Sequence, residues 1–302
     1  MWFWFSLIAL VCWSGSDLFS KIGCQDADDK YSHLKMVMAV GLVMGLHAAY
    51  EIFIGGTEIN GSIILTYLPV SLLYISSMTI GYIGLRYIEL SISSPICNSS
   101  GALVAVLALA TGGLGELVPA QLIATALVCV GVIGLGIVEA REDDDLRAAR
   151  QQASNHRYAK SALALVLPII YCLLDALGTF ADSRVLETLD EDSANCAYEL
   201  TFLLAAIVCF VYVVLIKKSK LLPKREAPKY AGALCETAGQ FAYIYALADT
   251  EHVALAAPII SAYCVASVVW SRIFLKEKLS LKHYLMIALV VAGIVILGVY
   301  DG

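Results

Sequence analysis

An all-α membrane protein of ten transmembrane helices, arranged as two inverted five-helix repeats, is what this sequence predicts. Hydrophobic residues make up 60% of the chain and charged residues 15%, with a mean hydropathy of +0.78, far from soluble globular averages. Polar or Gly/Pro-containing breaks divide it into ten stretches, each near the ~20 apolar residues that a spanning helix needs. The text also repeats itself. Glu89 to Ile137 aligns with His252 to Val299, so that Pro95 falls on Pro258, Glu116 on Glu277, and the Gly131 to Gly136 end near Gly293 to Gly298. An odd number of spans per repeat makes the second copy enter the membrane upside down. Inverted repeats of this kind surround a binding site near the bilayer midplane in secondary transporters.

The first span begins near Trp2. MWFWFSLIALVCWSGSDLFSK has no basic n-region and no convincing cleavage site, so it reads as a retained helix rather than a signal peptide. It carries Asp17 one turn before Lys21, an i, i+4 arrangement equally suited to a structural pair and to binding. The second span starts near Tyr31, and its GLVMG stretch, Gly41 to Gly45, offers a small-residue face for helix packing. The third begins near Ile64. The fourth, from Ser91, surrounds Pro95 with Ser93, Ser94, Asn98 and Ser99. A proline frees a carbonyl and permits bending, and neighbouring Ser or Asn can satisfy that carbonyl. Pro95 is therefore a candidate hinge, and Asn98 a candidate cavity residue. The fifth span starts near Pro119.

Glu142 to Asp145 lie in a loop that also holds four arginines, which reads as a solvated linker. The expected organisation is a first repeat at 1–140, a charged cytoplasmic linker at 141–157 and a second repeat at 158–302. The sixth span begins near Tyr158 and contains Asp175, with no basic residue three or four positions later. Tyr171 precedes Asp175 as Trp13 precedes Asp17, so the two acids are repeat-related. The seventh, from Ser193, carries Glu199, whose counterpart is Lys35; opposite charges there suggest either a gate ion pair or interfacial snorkelling. The eighth, from Pro228, aligns Gly232, Glu236, Gly239, Gln240 and Tyr243 along one helical stripe. The matching stripe of the third span has only Leu73, Ser77 and Ile80, so a site here is asymmetric. The ninth, from Val253, repeats the proline as Pro258, with Ser261 and Tyr263 beside it. The tenth begins near Leu281.

Lys and Arg concentrate in cytoplasmic loops. On the ten-helix plan every one of the 20 except Arg184 falls on one side, which places both termini outside the cytoplasm. The net charge of -6 does not oppose this, because acidic residues carry little topological weight. The basic loops are topology signals rather than nucleic-acid sites. The nine cysteines are scattered without CxxC or Cys/His ligand spacing, and no GxSxG, GxxxxGK[ST] or HExxH occurs. Neither a metal nor a cofactor is expected, and neither a hydrolase nor an ATP-driven pump is supported.

Trp13 to Lys21, WSGSDLFSK, resembles the first helix of the drug/metabolite transporter superfamily. Leu247 to Pro258, with the following FLKEKLSLKHYLMIALVVAGIVILG, is similar to the end of an EamA-type repeat in that superfamily. The resemblance covers the chain as two EamA-like halves and implies a ten-helix transporter. Its members handle amino acids, sugars, quaternary amines, drugs and other metabolites.

Substrate chemistry must come from polar groups inside apolar spans, where charge is costly and marks functional candidates. Asp17, Asp175, Glu199 and Glu236 are those acids. Carboxylates beside aromatic faces such as Tyr243 and Tyr263 suit an ammonium group through charge pairing and cation-π attraction. Gln240 and Asn98 would add hydrogen bonds, and one acid could carry protons. Sugar or anionic substrates form the alternative within the fold; anions would want deep basic residues, and the spans are expected to hold none. A non-transporting scaffold or lipid-handling protein is the alternative outside it. The expected partners are a small-molecule substrate, the lipid bilayer and protons, in a monomer or homodimer of a bacterial cytoplasmic membrane.

Overall fold

The computed structural model describes residues 1–26, 28–87, 90–112, 119–140, 162–275 and 279–301. The expected linker at 141–157, and the paired Glu116 and Glu277, lie outside them. The described residues form an all-helical bundle without a strand: α1 (Trp2–Cys24), α2 (Ser32–Tyr50), α3 (Gly61–Tyr87), α4 (Leu90–Cys97), α5 (Ser100–Gly112) and α6 (Pro119–Ala140), then α7 (Ala162–Val185), α8 (Glu191–Phe210), α9 (Pro223–Leu247), α10 (Val253–Ser261), α11 (Tyr263–Trp270) and α12 (Leu281–Asp301). Single π-helical turns prolong α2 over Glu51–Gly55, α8 over Val211–Ile216 and α11 over Ser271–Leu275.

Eight helices among the described residues are long and apolar enough to cross a membrane. Two of the ten expected spans fall short of that measure. Helix α9 is 25 residues long but carries Lys224, Arg225, Glu226, Lys229 and Glu236, while the apolar helix Leu281–Leu297 within α12 is shorter than the rest. Large apolar side chains such as Leu46, Phe53, Leu72, Val106, Leu204 and Leu234 point outward, as expected of a surface solvated by lipid rather than water. In water such exposure would be a liability; in a bilayer it is the solvent-facing side.

The fourth and ninth expected spans are each broken. Helix α4 ends at Cys97 and α5 resumes at Ser100; α10 ends at Ser261 and α11 resumes at Tyr263. Each break falls within one turn after its proline, Pro95 or Pro258. At the first break the side chains do the capping. Asn98 Nδ2 adds a second bond to the Ser94 carbonyl at 2.8 Å, beside the one from its own backbone N–H, and Ser99 Oγ donates to the Pro95 carbonyl at 3.0 Å, an oxygen that the Ser99 N–H passes over for that of Ile96.

Helices pair closely as α1 with α9, α3 with α7, α2 with α8 and α6 with α12, while the half-helices pair crosswise, α5 with α10 and α4 with α11. Small residues permit these approaches. Gly41 on α2 lies against Phe202 and Ala206 of α8, and Gly45 against Leu203, so the GLVMG face packs one helix on the other. Gly239 on α9 lies against the Trp13 ring of α1, and Gly131 and Gly293 serve the α6 and α12 seam.

Candidate functional site

At the centre of the bundle is a cavity with about 70 Å³ of room for the centres of water molecules. One water needs roughly 10–15 Å³ by that measure, so the space as it stands suits a few waters or a very small solute. Tyr74 to Leu85 of α3 flank it, which is ~16 Å of helix at 1.5 Å per residue. The cavity is therefore a slot along the bundle axis.

Seven of the eight sequence-selected binding residues line this slot: Asp17, Asn98, Asp175, Glu236, Gln240, Tyr243 and Tyr263. Three carboxylates converge from three helices. Asp17 Oδ2 accepts from Ser94 Oγ of α4 at 2.5 Å and from Ser267 Oγ of α11 at 2.7 Å. Asp175 Oδ2 accepts from Ser100 Oγ, at the start of α5, at 2.7 Å. Glu236 has Ser16 of α1 as its polar neighbour and senses both other acids. Among the described residues no Lys, Arg or His lines the slot. Trp13 and Tyr263 stand edge to face 5.8 Å apart, Trp13 and Tyr243 are 4.9 Å apart, and Tyr82, Tyr171 and Tyr198 complete an aromatic wall.

Asn98 uses its amide nitrogen at the helix break, which leaves the amide oxygen as the group it can offer. Gln240 differs: it is buried, and its Nε2 has no hydrogen-bond partner. The Tyr82 hydroxyl and Ser20 Oγ, also in the lining, are likewise unpartnered. Three donors thus face the slot with nothing yet to donate to.

Glu199 is elsewhere. Its wholly buried carboxylate meets His47 Nδ1 of α2 at 2.9 and 3.0 Å, so it ties α8 to α2 and neither lines the cavity nor snorkels to an interface. Sequence reasoning had no signal for His47, whose role comes only from tertiary contact. Lys35, the counterpart of Glu199, is also buried.

The absence of deep basic residues expected from the sequence does not hold. Lys21, Lys35 and Lys229 are 5%, 4% and 1% exposed, because each finds oxygen partners at one end of the slot. Lys21 Nζ donates to the Leu85 carbonyl at 2.9 Å. Lys35 Nζ meets Asp29 Oδ2 at 2.9 Å and Glu226 Oε1 at 3.5 Å, and Lys229 Nζ meets Glu226 Oε2 at 3.1 Å. Arg86 donates to the Asp29 carbonyl and to Ser32 Oγ. This ionic floor joins α1, α2, α3 and α9 below the cavity. At the other end the Tyr74 and Tyr243 hydroxyls hydrogen-bond to each other, forming a roof whose members include Thr179 and a further acid, Asp182. Asp182 was not among the selected residues, although Asp175, Thr179 and Asp182 follow one another at i, i+4 and i+7, a stripe that was legible.

The described residues thus form a polytopic helical protein enclosing a largely apolar, carboxylate-bearing slot between an ionic floor and a tyrosine roof. Residues 162–299 match the family model of the EamA-like transporter family; the match, over the second half of an integral, multi-pass membrane protein, supports a place in the drug/metabolite transporter superfamily and suggests a transporter of small solutes. No curated protein matches the chain in sequence. Among solved structures, one crystal structure, described only as that of a protein, aligns with a TM-score of 0.64 at 12% identity, covering 98% of this chain and 96% of that one. At that identity the likeness speaks for the fold alone.

Proposed function

We propose that the protein is a secondary active transporter of a small organic solute bearing an ammonium group, working by alternating access and coupled to protons. The observation that carries this reading is the convergence of Asp17, Asp175 and Glu236 on one slot whose described lining holds no basic residue. Aromatic faces of Trp13, Tyr243 and Tyr263 add cation-π attraction. The unpartnered Gln240 Nε2 favours a zwitterion over a bare cation, since a substrate carboxylate would accept from it. A buried donor left without an acceptor costs ~1–3 kcal/mol, which such a substrate would recover. An anionic substrate is less well served: Lys21, Lys35 and Lys229 lie outside the lining and already hold oxygen partners.

The helix pairing supports a ten-helix plan of two inverted repeats, 1–140 and 158–302. Exchanging the halves, first helix for sixth and so on, carries the α1–α9 seam onto the α3–α7 seam and the α5–α10 contact onto the α4–α11 contact. The α2–α8 and α6–α12 seams map onto themselves. Pro95 and Pro258 are then matched hinges. In this plan the ionic floor lies on the cytoplasmic side with the Lys- and Arg-rich loops, and both termini lie outside, in a bacterial cytoplasmic membrane.

The test is thermal stabilisation of the purified protein by amines, amino acids, sugars and nucleotides, beside Glu236→Gln. A ligand at 100 times its Kd stabilises by about 2.7 kcal/mol. Stabilisation by ammonium-bearing solutes that is lost in Glu236→Gln is the expected result. Stabilisation by sugars or anions that survives the substitution would overturn the substrate class.

A further inference from the structure

Beyond the three acids of the slot lies a fourth that the substrate does not need. Asp182, two turns past Asp175 on α7, is 0% exposed and stands outside the cavity lining. Tyr67 Oη donates to its Oδ1 at 2.7 Å, and Tyr74 Oη reaches its Oδ2 at 3.4 Å. Tyr74 and Tyr243 bond through their hydroxyls, and each also reaches Thr179 Oγ1, at 3.2 and 3.1 Å. The groups facing Asp182 are Tyr67 and Tyr74 from α3, Tyr198 from α8, Tyr243 from α9 and, on its own helix, Thr179 and Asp175. Helices α4 and α5, also packed on α7, bring Ser100 to Asp175 instead. Among the described residues no Lys, Arg or His pairs with Asp182.

A carboxylate so placed, buried and without a counter-charge, has two accessible forms. Ionised, it must be held by hydroxyl donors alone, which is expensive. Neutral, it becomes a donor itself and reverses the polarity of the hydroxyl chain. That chain leads outward, because Tyr74 and Tyr243 both line the slot. Intramembrane acids connected to a cavity by such groups serve as proton relays.

We propose that Asp182 is the coupling proton site of this transporter, loaded from the cavity through Tyr243 and Tyr74. A hydronium ion in the cavity gives its proton to the Tyr243 oxygen and becomes water, as the original Tyr243 proton passes to the Tyr74 oxygen. The original Tyr74 proton then passes to Asp182 Oδ2. Both tyrosines end neutral, one O–H bond has formed and broken at each, and the carboxylate has become an acid. The relay also joins the two halves of the chain, since Tyr67 and Tyr74 precede the linker region and Asp182 and Tyr243 follow it. Protonation changes which oxygen donates across that junction, so the roof is held differently in the two forms.

The proposal rests on the reading of the chain as a gradient-driven transporter, not on the ammonium substrate. Its test is pH-difference infrared spectroscopy of the full-length protein in lipid, with no ligand added. One titrating component of the protonated-carboxyl band should be lost in Asp182→Asn and retained in Glu236→Gln and Asp175→Asn. In Tyr243→Phe the component should persist but exchange its proton for deuterium more slowly. If Asp182→Asn does not fold, Asp182→Glu supplies the assignment by shifting the component. A band unchanged by either Asp182 substitution, an Asp182 component that never responds to pH, or exchange unaltered in Tyr243→Phe overturns the proposal. Failure of ammonium solutes to stabilise the protein would overturn the substrate reading and leave this one standing.

Discussion

Replacing Lys35 with Met should loosen the ionic floor without disturbing the slot above it. Lys35 Nζ is held by Asp29 Oδ2 at 2.9 Å, by Glu226 Oε1 at 3.5 Å and by the Lys220 carbonyl at 2.8 Å. Its side chain and that of Asp29 are both 4% exposed, so water screens the pair little. Methionine fills similar volume but strands the Asp29 carboxylate and leaves Glu226 to Lys229 alone, and breaking a buried pair in this way costs about 3–5 kcal/mol. Asp29→Asn in the same background should return part of that cost, because an amide needs no counter-charge. The double-mutant cycle should therefore show a coupling above about 1 kcal/mol, beyond the range of exposed pairs. Equilibrium unfolding in mixed micelles measures it. Cys24 gives a second readout: it is wholly buried, within the electrostatic reach of Lys21, Arg86, Lys229 and Asp29. Faster modification of Cys24 by a thiol reagent in Lys35→Met, against a background in which the half-buried Cys12, Cys129, Cys209 and Cys235 are replaced, reports an opened floor. A destabilisation under about 1 kcal/mol with Cys24 as protected as before would refute the reasoning, because the floor would then hold no more firmly than a surface ion pair.

Gly41→Leu should destabilise the bundle by about 1–3 kcal/mol, the usual range for overpacking, since a side chain there meets Phe202 and Ala206 of α8; thermal unfolding measures it, with the lipid-facing Leu46→Ala as a control. Gln240→Leu should weaken zwitterions by roughly tenfold, the loss of one hydrogen bond of about 1 kcal/mol or a little more, and leave a quaternary amine without a carboxylate unaffected. Equal loss for both ligands would remove Gln240 from any role in telling them apart.

The parts of the site that could be read from sequence are those that violate hydropathy. Asp17, Asp175, Glu236 and Gln240 stand out because a polar side chain in an apolar span has few reasons to be there, and helical spacing then put Tyr243 beside them. Proline marked the two helix breaks for the same reason. Where the first break falls was not legible, since that depends on Asn98 and Ser99 bonding to carbonyls one turn earlier. Asp182 escaped notice because Ser183 and Arg184 follow it directly, making it look like the polar end of a span; its stripe with Asp175 and Thr179 was the one local signal, and the contacts that bury it come from Tyr67 and Tyr74, distant in sequence. The buried lysines escaped for a related reason. A lysine near a helix end reads as a topology signal, and whether it turns outward to water or inward to Asp29 and Glu226 is decided by the neighbours that the fold supplies. Glu199 shows the converse: its burial comes from His47, which no local pattern links to it.

The crosswise pairing of the half-helices has a mechanical consequence. Around the slot, α4, α5, α10 and α11 present four free ends in place of two continuous rods, and each end is joined to its continuation by only one or two residues. Under the alternating access proposed above, a half-helix would tilt about such a joint while the long α1–α9 and α3–α7 seams stay zipped, and the bore would widen at one mouth and narrow at the other without any full-length helix sliding past its neighbour. Motion of that sort leaves the lipid-facing outline of the bundle nearly constant, and the surrounding bilayer would have little to rearrange as the pathway turns over.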